Sequence, residues 1–249
     1  MHNWKVEVSK QLKRKPPLFD RARRITRLLG SRTPIYDVLH KASRKLPEVA
    51  FIQIGSNDGI SVDPIREFVV ANANWQGALV EPVPQIFAQL RRNYSYLRGR
   101  KLAFFNVAVS TNGGAKQFWK IRDECLPEFP LFAYQVGSFD REHVLKHFSA
   151  IPDLEAKIEA IEVPCKTYEQ VREQAGLSSV HVLHLDVEGH EDQILNSIDF
   201  SCSKPLIILF EISHMLEPCK SQSYAMLQSH GYGLQEAGAD CIATLRDFD

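Results

Sequence analysis

Three carboxylates and one histidine follow an apolar run in the segment 182–191, VLHLDVEGHE. Val182, Leu183 and Leu185 predict a buried parallel strand, and the polar residues fall where that strand opens into a turn and a helix. Ligands of open α/β sheets bind at the carboxyl ends of the strands. The segment therefore predicts a reaction centre. The residues available to it are Asp186, Glu188, His190 and Glu191.

A loop with two glycines follows an earlier apolar run, residues 51–54. Glycine lets the backbone approach a ligand closely, and the start of a helix directs free N–H groups and a positive dipole end toward it. We therefore expect a carboxylate or phosphate group at this loop. The loop is Gly55-Ser56-Asn57-Asp58-Gly59, and the helical pattern after it runs through Ile60, Ile65, Phe68 and Val69.

Glu81 ends a third apolar run, residues 78–80. It lies roughly 20 residues beyond the glycine loop, where doubly wound folds hydrogen-bond a ribose. The loop and Glu81 together favour a ligand that contains a nucleoside. Alternatively, Glu81 caps a helix before Pro82 and Pro84.

Other classes of protein would use some of the same features. A nicotinamide-dependent oxidoreductase needs a glycine loop and an acidic residue, but this chain lacks the compact G-x-G-x-x-G spacing. A metal-dependent hydrolase would use the carboxylates of segment 182–191 and would leave the nucleoside features unexplained. A binding module without catalysis is the third alternative.

The order of these motifs resembles that of the FkbM family of S-adenosylmethionine-dependent methyltransferases. The resemblance covers roughly residues 50–215, and its most specific element is the D-V-E-G-x-E block. It implies an α/β fold with a Rossmann-like class I methyltransferase sheet, mostly parallel with a C-terminal antiparallel hairpin, and helices on both faces. The motifs that carry it are IGSNDG (54–59), LVEP (79–82), FFNVAVS (104–110), VPCKTYEQV (163–171), LDVEGHE (185–191) and LFEISH (209–214).

The resemblance also implies a role for individual residues. The glycine loop would hold the methionine part of S-adenosylmethionine, Glu81 would bind the ribose hydroxyls, and residues 106–108 would border the adenine. Asp186 and Glu188 would shape the reaction centre. The implied cofactor-binding residues are Gly55, Ser56, Asn57, Asp58, Gly59, Glu81, Asn106, Val107 and Ala108.

Methyl transfer to an unactivated hydroxyl benefits from a general base, and histidine has the pKa nearest the working range. His190 and His214 are therefore the candidates for proton removal, and with Asp186 and Glu188 they complete the predicted catalytic set. Some sugar methyltransferases of this broad type use Mg²⁺, which Asp186, Glu188 and Glu211 could hold. The prediction is an O-methyltransferase acting on a hydroxyl of a glycan or other small metabolite. The alternative is a cofactor-binding protein of this fold that acts on nitrogen or is catalytically silent.

The remaining patterns alternate between strand and helix, as in a parallel βαβ sheet. The exception is an insertion at about 111–160, which we expect to cover the carboxyl edge of the sheet as an acceptor-binding cap; its aromatic residues could instead only pack the insertion. Arg141, His143 and His147 in its helical part could contact an acceptor. A zinc site is not expected at the two histidines, because the sequence shows no third ligand near them. Further strands are predicted near 102–107, 180–185, 206–210, 232–235 and 241–245, and helices near 35–46, 83–96, 167–175, 191–198 and 221–229.

The net charge of zero conceals a basic N-terminus. Residues 1–45 contain thirteen Lys or Arg against three Asp or Glu, a net charge of +10, and the remainder carries 17 against 27, a net charge of −10. Apolar and basic residues at helical spacing over 18–29 predict an amphipathic helix. It could pack on the catalytic domain, contact an anionic membrane or lipid-linked substrate, or bind nucleic acid, which is the least favoured because no aromatic-rich binding module accompanies the charge.

Length and cysteine content complete the expectations. The 249 residues predict a basic helical segment, 1–46, followed by one methyltransferase domain, 47–249. Five scattered cysteines without C-x-x-C spacing fit reduced thiols, and no apolar run has the length of a membrane span or a signal peptide. We expect a cytoplasmic enzyme with a small-molecule or glycan acceptor and no nucleic acid partner.

Overall fold

A computed structural model describes residues 33–61 and 63–248. The amphipathic helix predicted over 18–29 lies outside the described residues. Short 3₁₀ helices occupy Leu126–Glu128, Leu131–Gln135 and Arg246–Phe248. The main elements, in chain order, are α1 (Pro34–Lys45), β1 (Val49–Ile54), α2 (Arg66–Ala71), β2 (Trp75–Val80), α3 (Pro84–Asn93), β3 (Leu102–Phe105), β4 (Ala108–Val109), β5 (Gly114–Ile121), β6 (Gly137–Ser138), α4 (Arg141–His147), α5 (Leu154–Lys157), β7 (Ile158–Lys166), α6 (Tyr168–Gln174), β8 (Val182–Leu185), α7 (Glu191–Ser197), β9 (Ile207–Glu211), α8 (Cys219–Ser229), β10 (Tyr232–Ala237) and β11 (Asp240–Leu245).

A seven-stranded sheet forms the centre of the fold, in the order β10-β11-β9-β8-β1-β2-β3. The pairs from β9 to β3 are parallel, whereas β11 runs antiparallel to both β9 and β10. The predicted α/β class, with a Rossmann-like sheet and a C-terminal antiparallel hairpin, is therefore confirmed. In this order the carboxyl ends of β1, β2, β8 and β9 meet at one edge of the sheet.

Helices cover both faces of this sheet and bury two apolar clusters. The strands β1 and β8 are buried on both faces, which explains their nearly continuous apolar sequences. One cluster packs beneath α6, α7 and α8, and it contains Tyr168 and Leu227. The other packs beneath α1, α2 and α3. The sheet is thus held on both sides, and only its edges remain for a ligand.

Helix α1 confirms the helical pattern predicted after Pro34 and packs into the second cluster. Its Leu39 and Ala42 side chains are fully buried. The indole nitrogen of Trp75 on β2 donates a hydrogen bond to the hydroxyl of Ser43, 2.9 Å away. This basic helix therefore contributes apolar surface to the core of the sheet.

The cap, residues 111–160, contains more strand than the sequence indicated. Its strands β5 and β6 form a four-stranded sheet with β4, which precedes the cap, and β7, which extends beyond it to Lys166; the order is β4-β7-β5-β6. In this sheet β5 and β7 pair antiparallel over eight positions. Helix α4 confirms the predicted helical part. The aromatic residues divide between two roles: Phe129 and Phe148 pack edge to face inside the cap, 5.2 Å apart, whereas Phe118, Phe132 and Phe139 face a cavity.

Two further observations concern the whole described chain. All five cysteines are free thiols. Across residues 33–61 and 63–248, the helices are too short or too polar to cross a membrane.

Candidate active site

A cavity of about 240 Å³ lies at the edge where the carboxyl ends of the central strands meet. Its walls come from the loops after β1, β2 and β8, and from the end of β9. The cap supplies further lining through Phe118, Phe132, Phe139 and His147. Residues of the insertion therefore line the cavity at this sheet edge, and the cavity is the candidate active site.

Glu81 lies buried in the wall of this cavity at the end of β2. Its Oε2 accepts a hydrogen bond from the backbone N–H of Asn57 (3.1 Å), and its Oε1 accepts one from the N–H of Val83 (2.9 Å). Burial raises the pKa of Glu81 to about 7, and the nearby Asp58 carboxylate adds to the increase. Glu81 thus holds the turn before α3, whose N-cap is Val83, and also faces the cavity, where its contact with a ribose stays a prediction.

The glycine loop is closed by hydrogen bonds within the protein. The N–H groups of Gly55 and Ser56 donate to the carbonyl of Val80, and the next five N–H groups also have protein acceptors. The prediction of free N–H groups at a helix start is wrong, because α2 begins only at Arg66 and the loop forms its own turn first. Any ligand at this loop is held by side chains, carbonyl oxygens and shape.

The five loop residues also differ in what they face. Gly55, Ser56 and Asn57 line the cavity. Asp58 instead accepts hydrogen bonds from Ile60 and Ser61, and a side chain at Gly59 would meet Leu90 and Tyr94. Asp58 and Gly59 therefore shape the turn.

Gly55 has a packing role that the sequence did not reveal. Its φ is +79°, and a Cβ atom there would overlap the carbonyl oxygen of Asp186. The absence of a side chain lets the glycine loop contact the backbone of the D-V-E-G turn directly. The two motifs therefore meet at the floor of the cavity.

Two of the three residues predicted to border the adenine line the cavity, and the third does not. Val107 and Ala108 line the cavity together with Val109. The side-chain amide of Asn106 donates to the carbonyls of Glu81 (2.8 Å) and Pro82 (2.9 Å). Asn106 thus holds the turn that carries Glu81.

Asp186 lies in the cavity wall directly after β8. Burial raises its pKa well above the usual range, and the neighbouring carboxylates of Glu211 and Glu188 raise it further. Glu191 stabilises the turn, because its two carboxylate oxygens accept hydrogen bonds from the backbone N–H groups of Val187 (2.8 Å) and Gly189 (3.1 Å). The turn is therefore a rigid, acidic structure.

Glu188 adopts a left-handed backbone conformation, with φ of +56°. A residue with this side chain seldom does so, and such strain concentrates at functional sites. Its Oε2 lies 3.0 Å from Nε2 of His143 and 3.5 Å from Nε2 of His214. Glu188 thus faces two imidazoles at the edge of the cavity.

The two predicted histidine bases occupy different surroundings. His190 lines the cavity, and its buried Nε2 has no hydrogen-bond partner among the described residues. Burial lowers the pKa of His190, and the charge of Lys116 lowers it further. His214 instead contacts Glu188 and lies 3.5 Å from Oε1 of Glu211. Of the two, His190 is the one placed to touch a substrate.

The structure brings further potential metal ligands close to the two histidines of α4, for which the sequence showed no third ligand. Within the described part of the chain, the group whose ligand atoms converge as for a metal ion consists of His143, His147, Glu188 and His214, with all four atoms within 4.8 Å of one another. The acidic set proposed for Mg²⁺ shares only Glu188 with this group. Arg141 points elsewhere, with its guanidinium 3.0 Å from the Glu155 carboxylate.

Two polar cavity residues on the central strands were not predicted from the sequence. Gln53 and His184 are buried neighbours on β1 and β8, and burial lowers the pKa of His184 to about 4. Gln53 Oε1 and His184 Nδ1 find no partner among the residues that the structure describes. The available signal was a single polar residue inside each apolar strand, FIQI and VLHL.

Comparison with known proteins identifies a family match. The profile described as the Methyltransferase FkbM domain matches residues 53–234. Among solved structures, a precorrin-6y C5,15-methyltransferase from Geobacter metallireducens GS-15 is 11% identical, with 84% of each chain covered and a TM-score of 0.40. A ribosomal protein L11 methylase from Lactobacillus delbrueckii subsp. bulgaricus is 7% identical, covering 84% of this chain and 74% of that one, with a TM-score of 0.40. A search of curated proteins gave no match.

Proposed function

The chain belongs to the FkbM methyltransferase family and is an S-adenosylmethionine-dependent methyltransferase, and we propose that its acceptor is a hydroxyl group of a glycan or another small metabolite. The observation that carries the proposal is the placement of His190. His190 lines a cavity that also contains Glu81 and is covered by aromatic residues of the cap, and its buried Nε2 has no hydrogen-bond partner among the described residues. A base beside a covered cavity suits an acceptor that must lose a proton.

The residues around the cavity fit S-adenosylmethionine. Glu81 keeps acceptor capacity for ribose hydroxyls, because each of its oxygens accepts only one backbone hydrogen bond. Four buried polar atoms of cavity residues lack a partner within the described chain, as expected where a polar ligand binds. These atoms are Gln53 Oε1, His184 Nδ1, His190 Nε2 and Glu211 Oε2.

The chain's own contribution to catalysis follows from this geometry. When bound, S-adenosylmethionine supplies the methyl group. His190 Nε2 accepts the proton of the acceptor hydroxyl, and Asp186 orients the acceptor. The cap excludes water and holds the acceptor in line, and such positioning contributes roughly 7–11 kcal/mol to rate enhancement. Phe118, Phe132 and Phe139 offer apolar faces against which the C–H surface of a sugar ring packs.

Charge favours a small or uncharged acceptor over a polyanion. Residues 46–249 carry a net charge of −10, and the cavity edge holds Asp186, Glu188 and Glu211. A nucleic acid would be repelled by this surface, since its binding depends on Lys and Arg contacts to phosphates. We also propose a cytoplasmic location, which agrees with five free thiols.

The substitution His190→Ala tests the base. We expect turnover to fall by about 10²-fold or more, while affinity for S-adenosylmethionine stays within about threefold of wild type. The matched control is His230→Ala, because His230 stacks on Phe200 away from the cavity. Turnover is measured as release of demethylated cofactor with a panel of saccharides and matched amino sugars, and calorimetry measures the affinity.

The outcomes separate the proposal from its alternatives. Full turnover of the His190→Ala variant would show that another group removes the proton. A product methylated on the amino group, identified by NMR, would favour the nitrogen alternative. Cofactor binding without turnover on any acceptor of the panel, in wild-type protein, would favour the silent alternative.

A further inference from the structure

Three histidines and one glutamate from separate segments converge beside the cavity, and the methyl transfer proposed above assigns them no step. His143 and His147 lie one turn apart on α4 of the cap, Glu188 lies in the turn after β8, and His214 follows β9. The rings of His143 and His214 meet edge to face with centroids 4.7 Å apart. The rings of His147 and His214 are 5.9 Å apart.

We propose that His143, His147, His214 and Glu188 bind one Zn²⁺ ion, or a similar divalent transition metal ion, that ties the cap to the edge of the central sheet. The proposal does not depend on the identity of the methyl acceptor. It concerns how the cap is held over the cavity.

The distances between the four ligand atoms are close to those in an occupied zinc site. In a tetrahedral site with bonds of about 2.0–2.1 Å, neighbouring ligand atoms are roughly 3.3 Å apart. Oε2 of Glu188 already lies 3.0 Å from Nε2 of His143 and 3.5 Å from Nε2 of His214. All four ligand atoms lie within 4.8 Å of one another, so small side-chain movements close the site.

The chemistry of the donors selects the ion. Three imidazole nitrogens and one carboxylate oxygen suit Zn²⁺, Co²⁺ or Ni²⁺, whereas Mg²⁺ prefers oxygen ligands and retained water. Three neutral imidazoles and one carboxylate together have more acceptor lone pairs than N–H donors. A cation bound between them would be coordinated by these lone pairs. Four protein ligands describe a closed, structural type of site.

The surrounding backbone presents these ligands. The left-handed turn at Glu188 and Gly189 carries the carboxylate toward α4, and a Cβ atom at Gly189 would lie 3.5 Å from Nδ1 of His143 and 3.7 Å from Cβ of His214. The carbonyl of Glu188 accepts a hydrogen bond from Ser138 on β6 of the cap (3.2 Å). His147 and Glu188 also line the cavity, so the ion would lie in its wall.

Metal titration of the untagged full chain, after treatment with a chelator, tests the proposal. We expect one Zn²⁺ per chain, a higher melting temperature, and slower amide hydrogen exchange in residues 141–147. Affinity should fall in His214→Gln and Glu188→Gln by at least the 10–100-fold that loss of an outer-shell partner causes. His230→Ala is the control and should bind Zn²⁺ as the wild type does.

Co²⁺ loading of the wild-type protein keeps the test decisive if a variant fails to fold. Tetrahedral coordination gives intense visible absorption, which one equivalent of Zn²⁺ should abolish. The proposal would be overturned by the absence of saturable Zn²⁺ binding, by unchanged affinity in a folded His214→Gln protein, or by weak octahedral Co²⁺ absorption alone. Preferential binding of Mg²⁺ would equally overturn it and would favour the acidic residues of the D-V-E-G turn.

Discussion

Glu81 shows how burial and function act on one side chain. Its carboxylate holds the glycine loop and the start of α3 through backbone hydrogen bonds, and its pKa is raised to about 7 by burial. A carboxylate that accepts hydrogen bonds from ribose hydroxyls binds best when ionised. Cofactor affinity should therefore depend on pH in the neutral range.

The sign of this dependence follows from the raised pKa. As the pH rises through 7 the ionised fraction of Glu81 grows, so affinity should increase by up to about tenfold between pH 6 and pH 8, because a group with a pKa of about 7 is about ten times more ionised at pH 8 than at pH 6. Calorimetry at several pH values measures it. The Glu81→Gln variant should bind more weakly at pH 8 and lack this increase, and it also corrects for titration of the ligand itself. A wild-type profile parallel to that of the variant would contradict the prediction.

At the scale of single residues, the sequence predicted which polar residues lie at strand ends better than it predicted the side chains that each of them contacts. Asp186, Glu81 and His190 could be placed near a cavity because a buried strand ends beside each of them. The contact between His143 and Glu188 joins residues 45 positions apart. No local spacing encodes where the cap helix comes to rest, so this pair and His214 could not be brought together from the sequence.

The glycine loop and the D-V-E-G turn behave as one element, because Gly55 packs against the backbone of Asp186. A substitution at Gly55 therefore changes stability before it changes cofactor binding. Gly238 provides a comparison, since it has a similar φ of +77° but has no atom within 4 Å of the position of a Cβ.

Alanine at the two glycines should consequently have different effects. Gly238→Ala should cost about 1–2 kcal/mol of unfolding free energy, the usual cost of a left-handed residue. Gly55→Ala should cost more than about 4 kcal/mol, because a backbone carbonyl cannot move aside cheaply. Urea unfolding measures both. Equal losses would show that the loop and the turn do not pack as described.

The elements themselves were predictable where the apolar pattern was strong. Strands β1, β2, β8 and β9 are mainly apolar, and helices α3, α6, α7 and α8 begin and end close to the predicted positions. Strands β5 and β7 were missed, because most of their residues are not buried and their sequences, GAKQFWKI and IEAIEVPCK, are rich in polar residues. Their pairing also joins residues distant in the chain, and no turn motif connects them.

The charge of the whole molecule is divided along the chain. Residues 1–32 contain ten Lys or Arg against Glu7 and Asp20, a net charge of +8. Helix α1 follows, with a buried apolar face that includes Leu39 and Ala42 and with the hydrogen bond from Trp75 to Ser43. Two truncations can therefore separate electrostatic from packing contributions.

Removal of residues 1–46 should destabilise the protein by several kcal/mol. Each large apolar side chain withdrawn from the core removes about 1.5–3 kcal/mol, and Trp75 loses both its covering and its hydrogen-bond partner. Urea unfolding against the full chain measures the loss. Unchanged stability would mean that α1 contributes nothing to the fold, contrary to its burial.

Removal of residues 1–32 leaves α1 in place and takes away the net charge of +8. We propose that this segment contacts an anionic membrane surface or a lipid-linked acceptor, since each Lys or Arg near such a surface contributes about 1 kcal/mol. The full chain should sediment with vesicles that contain phosphatidylserine at low salt and less so at high salt, because added ions screen surface charges. The truncated chain should remain in solution at both salt concentrations while it still binds S-adenosylmethionine. Equal sedimentation of the two proteins would overturn the membrane proposal, and a large loss of melting temperature on removing residues 1–32 would assign the segment to packing instead.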